Sequence, residues 1–256
     1  MEIALFGCGW LGLPLGRKLA SKGISVTGTS TSQEKLAELK KNGISPFLFR
    51  GKMDLSNLEA AKWNSNIAII TIPPSGSNEY PELIGGIIKI LPEDCKIIFT
   101  SSIGVYASNE GRVDEQSICL SDHPVFRAEE VLRNLAGQRS VILRLGGLFG
   151  GERHPIYFLA GTTDLSQGKA PVNLVHLDDV IEAIEAFIEQ EHYSGTYNLV
   201  YPDHPLKEAY YHEVAERNGL NKPLYKKDPT VGKIVVGDKI VRDLGFNYSH
   251  DLWIMF

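Results

Sequence analysis

Cysteine is scarce in this sequence of 256 residues, which contains only Cys8, Cys95 and Cys119 and no Cys-x-x-Cys pair. An odd number of widely spaced cysteines is typical of a reducing compartment and argues against a disulfide framework or a thiolate metal site. The seven histidines form no His-Glu-x-x-His pattern, which zinc enzymes commonly use. We therefore expect no bound metal.

Long hydrophobic runs and an excess of positive charge are also missing. No apolar run reaches the ~18 residues of a membrane span. The apolar N-terminus has Glu2 before it and Arg17 and Lys18 after it, the reverse of the charge order in a secretory signal peptide. The 26 Lys and Arg against 31 Asp and Glu give a net charge of −5, with no basic block to neutralise a phosphate backbone. These absences predict a cytoplasmic protein that binds neither membranes nor nucleic acid.

Glycine, in contrast, is plentiful, with 25 residues. The stretch Gly7-Cys-Gly-Trp-Leu-Gly12 follows a short apolar run and opens a helical pattern. In such a G-x-G-x-x-G turn the first glycine permits the tight turn, the second a close backbone approach to a pyrophosphate, and the third close helix–strand packing. The pattern predicts dinucleotide binding, and the alternative is a tight turn without a ligand. The residues predicted to contact the cofactor are Gly7, Gly9, Trp10, Leu11 and Gly12.

Apolar runs alternate with helical periodicity through the first half of the chain. The runs are residues 2–6, 24–29, 46–49, 66–72, 96–101 and 140–145, and the helical patterns are 10–21, 33–41, 80–91 and 127–135. This alternation predicts an α/β fold of the Rossmann type, with a doubly wound parallel sheet. Beyond residue 146 the pattern weakens, which indicates a small C-terminal substrate lobe. We expect a dinucleotide-binding domain at 1–147, its sheet completed by 172–200, and the lobe at 148–171 and 201–256.

The end of the second predicted strand bears on the choice between the two nicotinamide cofactors. NAD-binding proteins usually place Asp or Glu there for the ribose 2′-hydroxyl, whereas this chain reads Gly28-Thr-Ser-Thr-Ser-Gln-Glu-Lys35. The hydroxyl groups and the lysine favour NADP, with NAD as the second choice. The alternative is a hydroxyl-rich helix cap without a ligand. The residues predicted to bind the 2′-phosphate are Thr29, Ser30, Thr31, Ser32 and Lys35.

Later stretches carry a family resemblance through their order along the chain. They are Thr100-Ser-Ser-Ile-Gly-Val-Tyr-Ala107, Val113-Asp-Glu, Leu143-Arg-Leu-Gly-Gly-Leu-Phe-Gly150, Val172-Asn-Leu-Val-His-Leu-Asp-Asp179 and Ser194-Gly-Thr-Tyr-Asn-Leu199. On these residues the chain resembles the extended short-chain dehydrogenase/reductase superfamily, and specifically its small atypical epimerase/dehydratase-like members. The resemblance covers essentially the whole chain. It implies a nicotinamide cofactor, a small-molecule substrate and, by analogy only, a homodimer.

The same resemblance assigns roles to particular residues. Ser102, four positions before Tyr106, matches the family's catalytic serine, whose hydroxyl binds the reacting oxygen of the substrate. His176 matches a position near the substrate lobe that usually holds a loop. The resemblance also implies that the cofactor is lined by Ile72, Pro73, Pro74, Ser75, Thr100 and Ser101.

The proton relay of that family is missing from this sequence. The relay uses a tyrosine whose pKa is lowered by a lysine four residues later, and none of the ten tyrosines here has lysine at that spacing. If Glu130 matches the family's helix glutamate, Asp122 and Phe126 occupy the Tyr and Lys positions. Asp122, His123 or Arg127 would then supply a proton or an oxyanion partner, unless this stretch only starts a helix.

Three functions therefore remain open. The first is an NADP-dependent oxidoreductase or epimerase/dehydratase that acts on a small polar substrate, with a nucleotide-activated sugar as one candidate. The second is a non-catalytic NADP(H)-binding redox sensor or partner-binding module that has lost the Tyr/Lys pair. The third is the β-hydroxyacid dehydrogenase family, which has a similar glycine turn but requires a largely helical second half.

Overall fold

The computed structural model describes residues 1–61, 63–74, 79–107, 110–190, 194–230 and 232–253 of the chain. Within these residues the β-strands, β1 to β11 in chain order, are Glu2–Phe6, Ser25–Ser30, Ser45–Leu48, Ile67–Ile70, Lys96–Ser102, Gly111–Val113, Ser140–Leu145, Gly147–Phe149, Leu174–His176, Gly195–Leu199 and Lys233–Val235. The α-helices of the same residues, α1 to α9, are Gly12–Ser21, Gln33–Lys41, Leu55–Ala60, Tyr80–Lys89, Pro124–Ala136, Ile156–Leu159, Leu177–Glu189, Lys207–Arg217 and Asp238–Leu244.

Seven of the described strands form one parallel sheet in the order β10-β7-β5-β4-β1-β2-β3. Strand β1 lies between β2 and β4, with Ile3 opposite both Val26 and Ile67. The chain therefore winds outward from β1 in both directions, which confirms the α/β fold of the Rossmann type. In such sheets ligands bind beyond the carboxyl ends of the strands, at the point where the strand order reverses.

The central strands are apolar along their whole length because both faces of the sheet are covered. Residues 3–6 of β1 and 67–70 of β4 are all buried. Helix α1 packs closely on this sheet because glycine occupies its inner face. A Cβ at Gly12 would lie 2.2 Å from the carbonyl oxygen of Gly7 and 2.9 Å from Oγ1 of Thr71. Even a methyl group is therefore excluded where the helix begins.

Several predicted element boundaries differ from the structure. Helix α1 begins at Gly12 rather than residue 10, because residues 7–11 form the glycine turn. Helix α5 begins at Pro124 rather than residue 127, since proline, which has no N–H to leave unsatisfied, is favoured at the first helical position. Of residues 172–200, only β10 joins the seven-stranded sheet, whereas β9 pairs with β8 in a separate two-stranded sheet. None of the described helices has the length and apolar character needed to cross a bilayer.

The chain forms two compact units. The first comprises Met1–Ser101, Ser121–Leu143 and Phe187–Thr196, and the second Ser102–Leu120, Arg144–Ala186 and Tyr197–Phe256. Residues 102–120 and most of helix α7 thus group with the second unit, whereas the sequence pattern assigned them to the dinucleotide-binding domain. The second unit is correspondingly larger than the expected lobe.

The core of the second unit contains a buried histidine held in its neutral form. Nδ1 of His154 accepts a hydrogen bond from the backbone N–H of Ile156 at 3.1 Å. Its Nε2 lies 2.9 Å from the hydroxyl of Tyr210, which donates to the carbonyl of Leu252 at 2.9 Å. A neutral ring with its hydrogen on Nε2 satisfies every contact. Burial lowers the pKa of His154 to about 4.

This histidine predicts a loss of stability in mild acid. Because the folded-state pKa lies below the unfolded value of ~6.5, the unfolded chain binds the extra proton first as pH falls. The contribution to the free energy of unfolding is complete above pH ~6.5 and is lost as pH falls toward the folded-state value. When the pH falls from about 7.5 to about 5, the free energy of unfolding of the native protein should drop by about 2 kcal/mol more than that of His154→Gln. Urea unfolding of both proteins tests this expectation, and equal losses would contradict it.

The glycine turn gives a second prediction, in which two glycines behave differently. Gly12→Ala should lower the free energy of unfolding by about 1–3 kcal/mol because the added methyl group meets backbone. Gly9→Ala is the matched control, since a Cβ at Gly9 meets nothing within 4 Å, and its stability should stay within about 0.5 kcal/mol of native. Equal stabilities for the two variants in urea unfolding would show that helix α1 is not packed as described.

Candidate functional site

The glycine turn between β1 and α1 is held by hydrogen bonds to the strands on either side. Gly7 has a φ of +103°, a conformation that favours glycine. Its N–H donates to Oγ1 of Thr29 at 2.9 Å, and the N–H of Cys8 donates to the Thr29 carbonyl at 2.8 Å. On the other side, the hydroxyl of Thr71 donates to the Gly7 carbonyl at 2.7 Å. The turn is therefore fixed in place from both β2 and β4.

The outer side of this turn is open and electropositive. Gly9 is exposed, and a Cβ there would meet nothing within 4 Å. No side chain of the described residues caps the N-terminus of α1, and its first turn contains no acidic residue. The unsatisfied N–H groups and the positive end of the helix dipole attract an anion. The residues present therefore fit a dinucleotide pyrophosphate, with Leu11 buried and Trp10 half-buried at the helix start.

The hydroxyl groups at the end of β2 have different partners from those predicted. Thr29 is buried, and its hydroxyl accepts from Gly7, so it positions the turn instead of facing the ribose. Oγ of Ser30 accepts from the N–H of Ser32 at 3.3 Å, and Ser32 donates to Glu34 at 3.3 Å. The exposed side chains that remain are Thr31 and Lys35.

Strand β4 ends beside the same turn. After Thr71 the chain passes through Ile72, whose carbonyl accepts from the hydroxyl of Tyr80 at 2.7 Å. Pro73 and Pro74 are exposed there, which is compatible with their predicted place along the cofactor. Ser75, predicted with them, lies outside the described residues.

The end of β5 contains a buried polar chain that the sequence did not reveal. Ser101 donates to Oε1 of Glu129 at 2.5 Å, and Oε2 of Glu129 pairs with Arg133 at 2.7 Å. Glu129 is fully buried. The hydroxyl of Ser101 is thus engaged in the protein interior, while Thr100 donates to the Ile70 carbonyl at 3.2 Å. Both hydroxyl hydrogens thus have protein acceptors, and the place of Thr100 and Ser101 along the cofactor stays a prediction.

The burial of Glu129 also changes the match to the family's proton relay. The buried glutamate of α5 is Glu129, whereas Glu130 is exposed. Counting from Glu129 places Ser121 and Val125 at the Tyr and Lys positions, one residue earlier than Asp122 and Phe126. Neither alignment supplies the tyrosine or the lysine.

The stretch that was expected to replace the relay forms the start of α5. Nδ1 of His123 accepts from the N–H of Val125 at 3.3 Å, and Pro124 occupies the first turn. Asp122 and Arg127 are exposed. The helix-start interpretation describes this geometry fully, and a catalytic role for these residues stays a prediction.

Ser102 is the last residue of β5 and remains available to a ligand. It is half-buried, and its Oγ accepts from the N–H of Gly104 at 3.0 Å. No acceptor among the described residues takes its hydroxyl hydrogen. Nearby Tyr106 is buried and donates to Oδ1 of Asn198 at 2.6 Å, and burial raises its pKa to about 12. Ser102, and not Tyr106, therefore has the free donor.

A cavity of about 430 Å³ lies within the second unit. Its lining begins at Ile103 and includes the ammonium-bearing Lys207 and Lys233, and no carboxylate is among its described lining residues. Lys207 donates to Gln167 and Lys233 to the Tyr106 carbonyl, both at 3.2 Å. Burial lowers the pKa of both lysines. The lysines escaped sequence analysis because α8 and β11 are far apart along the chain.

Three side chains of the second unit bring groups of metal-ligand type together. One atom each of His176, Asp178 and His250 lies within 4.8 Å of the others, which no sequence spacing indicated. The two imidazole rings stack, with centroids 4.2 Å apart and planes 19° apart. Because stacked rings do not aim their in-plane lone pairs at one point, they would have to reorient to share an ion. Nδ1 of His176 already accepts from the N–H of Asp178 at 3.2 Å, holding the start of α7.

Among known proteins, a family matches the first half of the chain and a relative matches nearly its whole length. Residues 2–134 match the family described as the NAD binding domain of 6-phosphogluconate dehydrogenase. Protein YeeZ of Escherichia coli strain K12 is 34% identical over 264 aligned positions, which cover 97% of this chain and 96% of that protein.

Solved structures resemble the chain over nearly its full length. UDP-glucuronic acid 4-epimerase from Bacillus cereus, in complex with NAD, has a TM-score of 0.77 at 17% identity and covers 98% of this chain and 95% of its own. UDP-N-acetylglucosamine 4-epimerase from the same organism has a TM-score of 0.75 at 14% identity, with the same coverage. At these identities the likeness shows the fold alone.

These findings confirm part of the expected resemblance and correct part of it. The epimerase/dehydratase-like fold holds over the whole chain. The matched sequence family, however, is not the short-chain dehydrogenase/reductase one itself. The largely helical second half that β-hydroxyacid dehydrogenases require is also absent from the described residues, where β7 to β11 alternate with helices. The chain belongs to the family of the NAD-binding domain of 6-phosphogluconate dehydrogenase.

Proposed function

We propose that this protein is an NADP-dependent oxidoreductase or epimerase/dehydratase that acts on a small, polar, anionic substrate. The observation that carries the proposal is the turn from Gly7 to Gly12, which combines a fixed backbone, an open outer side and an uncapped helix N-terminus. The substrate class that best suits the second unit is a nucleotide-activated sugar.

The first unit supplies the cofactor site in this proposal. The backbone at Gly9 and the N-terminus of α1 bind the pyrophosphate, while Thr29 and Thr71 keep the turn rigid. The absence of a carboxylate at Thr29 and Ser30 supports NADP over NAD, because no fixed charge there repels a 2′-phosphate. When bound, NADP supplies a nicotinamide ring that accepts or donates a hydride.

The second unit supplies the substrate site. Lys207 and Lys233 face a cavity that no described carboxylate lines, so an anionic group is attracted without competition. Partial removal of the lysines from water strengthens that attraction. The structural relatives named above are epimerases of UDP-sugars, and the diphosphate of such a sugar is an anion of the required kind.

Ser102 orients the reacting oxygen. Its Oγ accepts from Gly104, which directs the hydroxyl hydrogen toward an incoming carbonyl or hydroxyl oxygen of the substrate. A donor that is already oriented stabilises charge developing on that oxygen without reorganisation. Because the Tyr/Lys relay is absent, the proton itself comes from another group or from water.

The missing relay favours one alternative function. A chain that lacks the tyrosine and the lysine of the relay would bind NADP(H) as a redox sensor or a partner-binding module without turnover. The two functions differ in one observable property, since only the enzyme exchanges hydride with a substrate.

Thermal-shift titration with NAD, NADH, NADP and NADPH tests the cofactor site. A ligand at 100 times its Kd should stabilise the fold by about 2.7 kcal/mol, and we expect the phosphorylated pair to act at the lower concentrations. Gly9→Ala should raise the Kd about tenfold or more, because its methyl group occupies the surface that the pyrophosphate approaches. Gly23→Ala is the control. Because Gly23 lies in a turn at the far end of α1, its replacement should leave the Kd unchanged.

Stabilisation by none of the four nucleotides would remove both the enzyme and the sensor from consideration. Stabilisation of Gly9→Ala at native concentrations would show that the nucleotide binds elsewhere. Nucleotide binding with no hydride exchange, whichever UDP-sugar is added, would favour the sensor.

Substrate binding is tested with UDP-glucuronic acid and UDP-N-acetylglucosamine by calorimetry of the NADP-loaded protein. Lys207→Met and Lys233→Met should each weaken binding about tenfold or more, as expected for the loss of one charged hydrogen bond. Lys227→Met removes an exposed lysine outside the cavity lining and should bind normally. Ser102→Ala should bind within about threefold of native but lose turnover about a hundredfold. Native binding by both cavity variants would place the substrate elsewhere.

A further inference from the structure

An arginine that the sequence pattern did not connect with the cofactor lies beside the end of β2. Strands β2 and β3 pair with Ser30 opposite Leu48. Just after β3, the N–H of Phe49 donates to the Ser30 carbonyl at 2.9 Å. The next residue is Arg50. Its backbone therefore runs past the strand end at which Rossmann-type proteins recognise the ribose 2′ position.

The backbone of Arg50 is fixed, while its side chain is free. Its N–H donates to Oδ2 of Asp54 at 2.7 Å, and Gly51, with a φ of +98°, turns the chain into the short 3₁₀ helix Lys52–Asp54. The side chain of Arg50 is exposed, and its guanidinium has no hydrogen-bond or ion-pair partner among the described residues. A charged group without a protein partner, carried on a fixed backbone, is ready to bind an anion.

Most other charged side chains in the stretches that follow β2 and β3 have hydrogen-bond or ion-pair partners. Lys52 pairs with Glu79 at 3.2 Å and also with Glu82. The carboxylate of Asp54 accepts from the Arg50 backbone, and that of Glu34 accepts from Ser32. Among the cations of residues 31–35 and 50–54, the stretches that follow β2 and β3, Lys35 and Arg50 have no such partner.

We infer that the guanidinium of Arg50 binds the 2′-phosphate of NADP(H) and sets the preference for NADP over NAD. The planar guanidinium matches two phosphate oxygens with two parallel N–H···O bonds. The ribose 2′-hydroxyl of NAD carries no charge and gains far less from the same group. Lys35 adds a second positive charge from the first turn of α2. This inference rests on the proposed function, since it requires a dinucleotide on the glycine turn.

Nicotinamide fluorescence titrations of NADPH and NADH test the inference. Arg50→Ala should raise the Kd of NADPH about 10- to 100-fold, as expected for the loss of a charge-assisted bidentate contact, and change the Kd of NADH less than about threefold. Arg50→Glu should abolish NADPH binding and retain NADH. Lys52→Ala removes a positive charge two residues away and should leave both Kd values unchanged.

The adenosine fragments 2′,5′-ADP and 5′-AMP isolate the same contact without the nicotinamide. Arg50→Ala should weaken the first fragment and leave the second unaffected. Equal effects on NADPH and NADH, or no effect on either, would overturn the role of Arg50. A native protein that binds NADH tightly and NADPH weakly would also overturn it, while the dinucleotide site would stand. A native protein that binds neither nucleotide would overturn the inference and the proposed function together.

Discussion

The close passage of helix α1 over the end of β1 is the constraint on which the rest of the site depends. With only 2.2 Å between an added Cβ of Gly12 and the Gly7 carbonyl oxygen, no side chain can separate the helix from the strand. The N-terminus of α1 is therefore held directly beyond the carboxyl end of β1. Thr29 accepts hydrogen bonds from the same turn and Thr71 donates one to it, which fixes the turn from both sides. An anion site made of backbone N–H groups follows from this packing.

The sequence predicts those parts of the fold that arise from local patterns. Strands β1 and β7 and helix α2 have the predicted boundaries, because continuous apolar runs and helical periodicity are properties of neighbouring residues. Helix α9 was not predicted, because the tail of the chain reads as mixed and polar. At the site, the glycine turn was found because its spacing follows from the geometry of one turn. The partners of Thr29 and Ser101 were not, since each hydroxyl bonds to a residue from another element.

The positively charged side chains proposed to bind ligands are brought into position by the fold and not by their spacing in the sequence. Lys207 and Lys233 share a cavity although they belong to different elements, and the pairing of β3 with β2 brings the backbone of Arg50 beside the end of β2. No tyrosine and lysine occupy the relay positions of the short-chain enzymes, and Ser101, Glu129 and Arg133 instead form a polar network at the end of β5. The first unit is thus well suited to hold a nucleotide, and the chemistry that we propose for the protein depends on Ser102.

Everything proposed for this protein requires that a dinucleotide pyrophosphate binds on the turn from Gly7 to Gly12. The most direct measurement is an amide NMR titration of protein labelled with ¹⁵N only at glycine, using NADPH. We expect the resonances of Gly9 and Gly12 to shift most, because the pyrophosphate would lie against the turn and the start of α1, while that of Gly232, which lines the cavity of the second unit, shifts little. Shifts confined to the glycines of the second unit, or no shift in the turn at saturating NADPH, would contradict it.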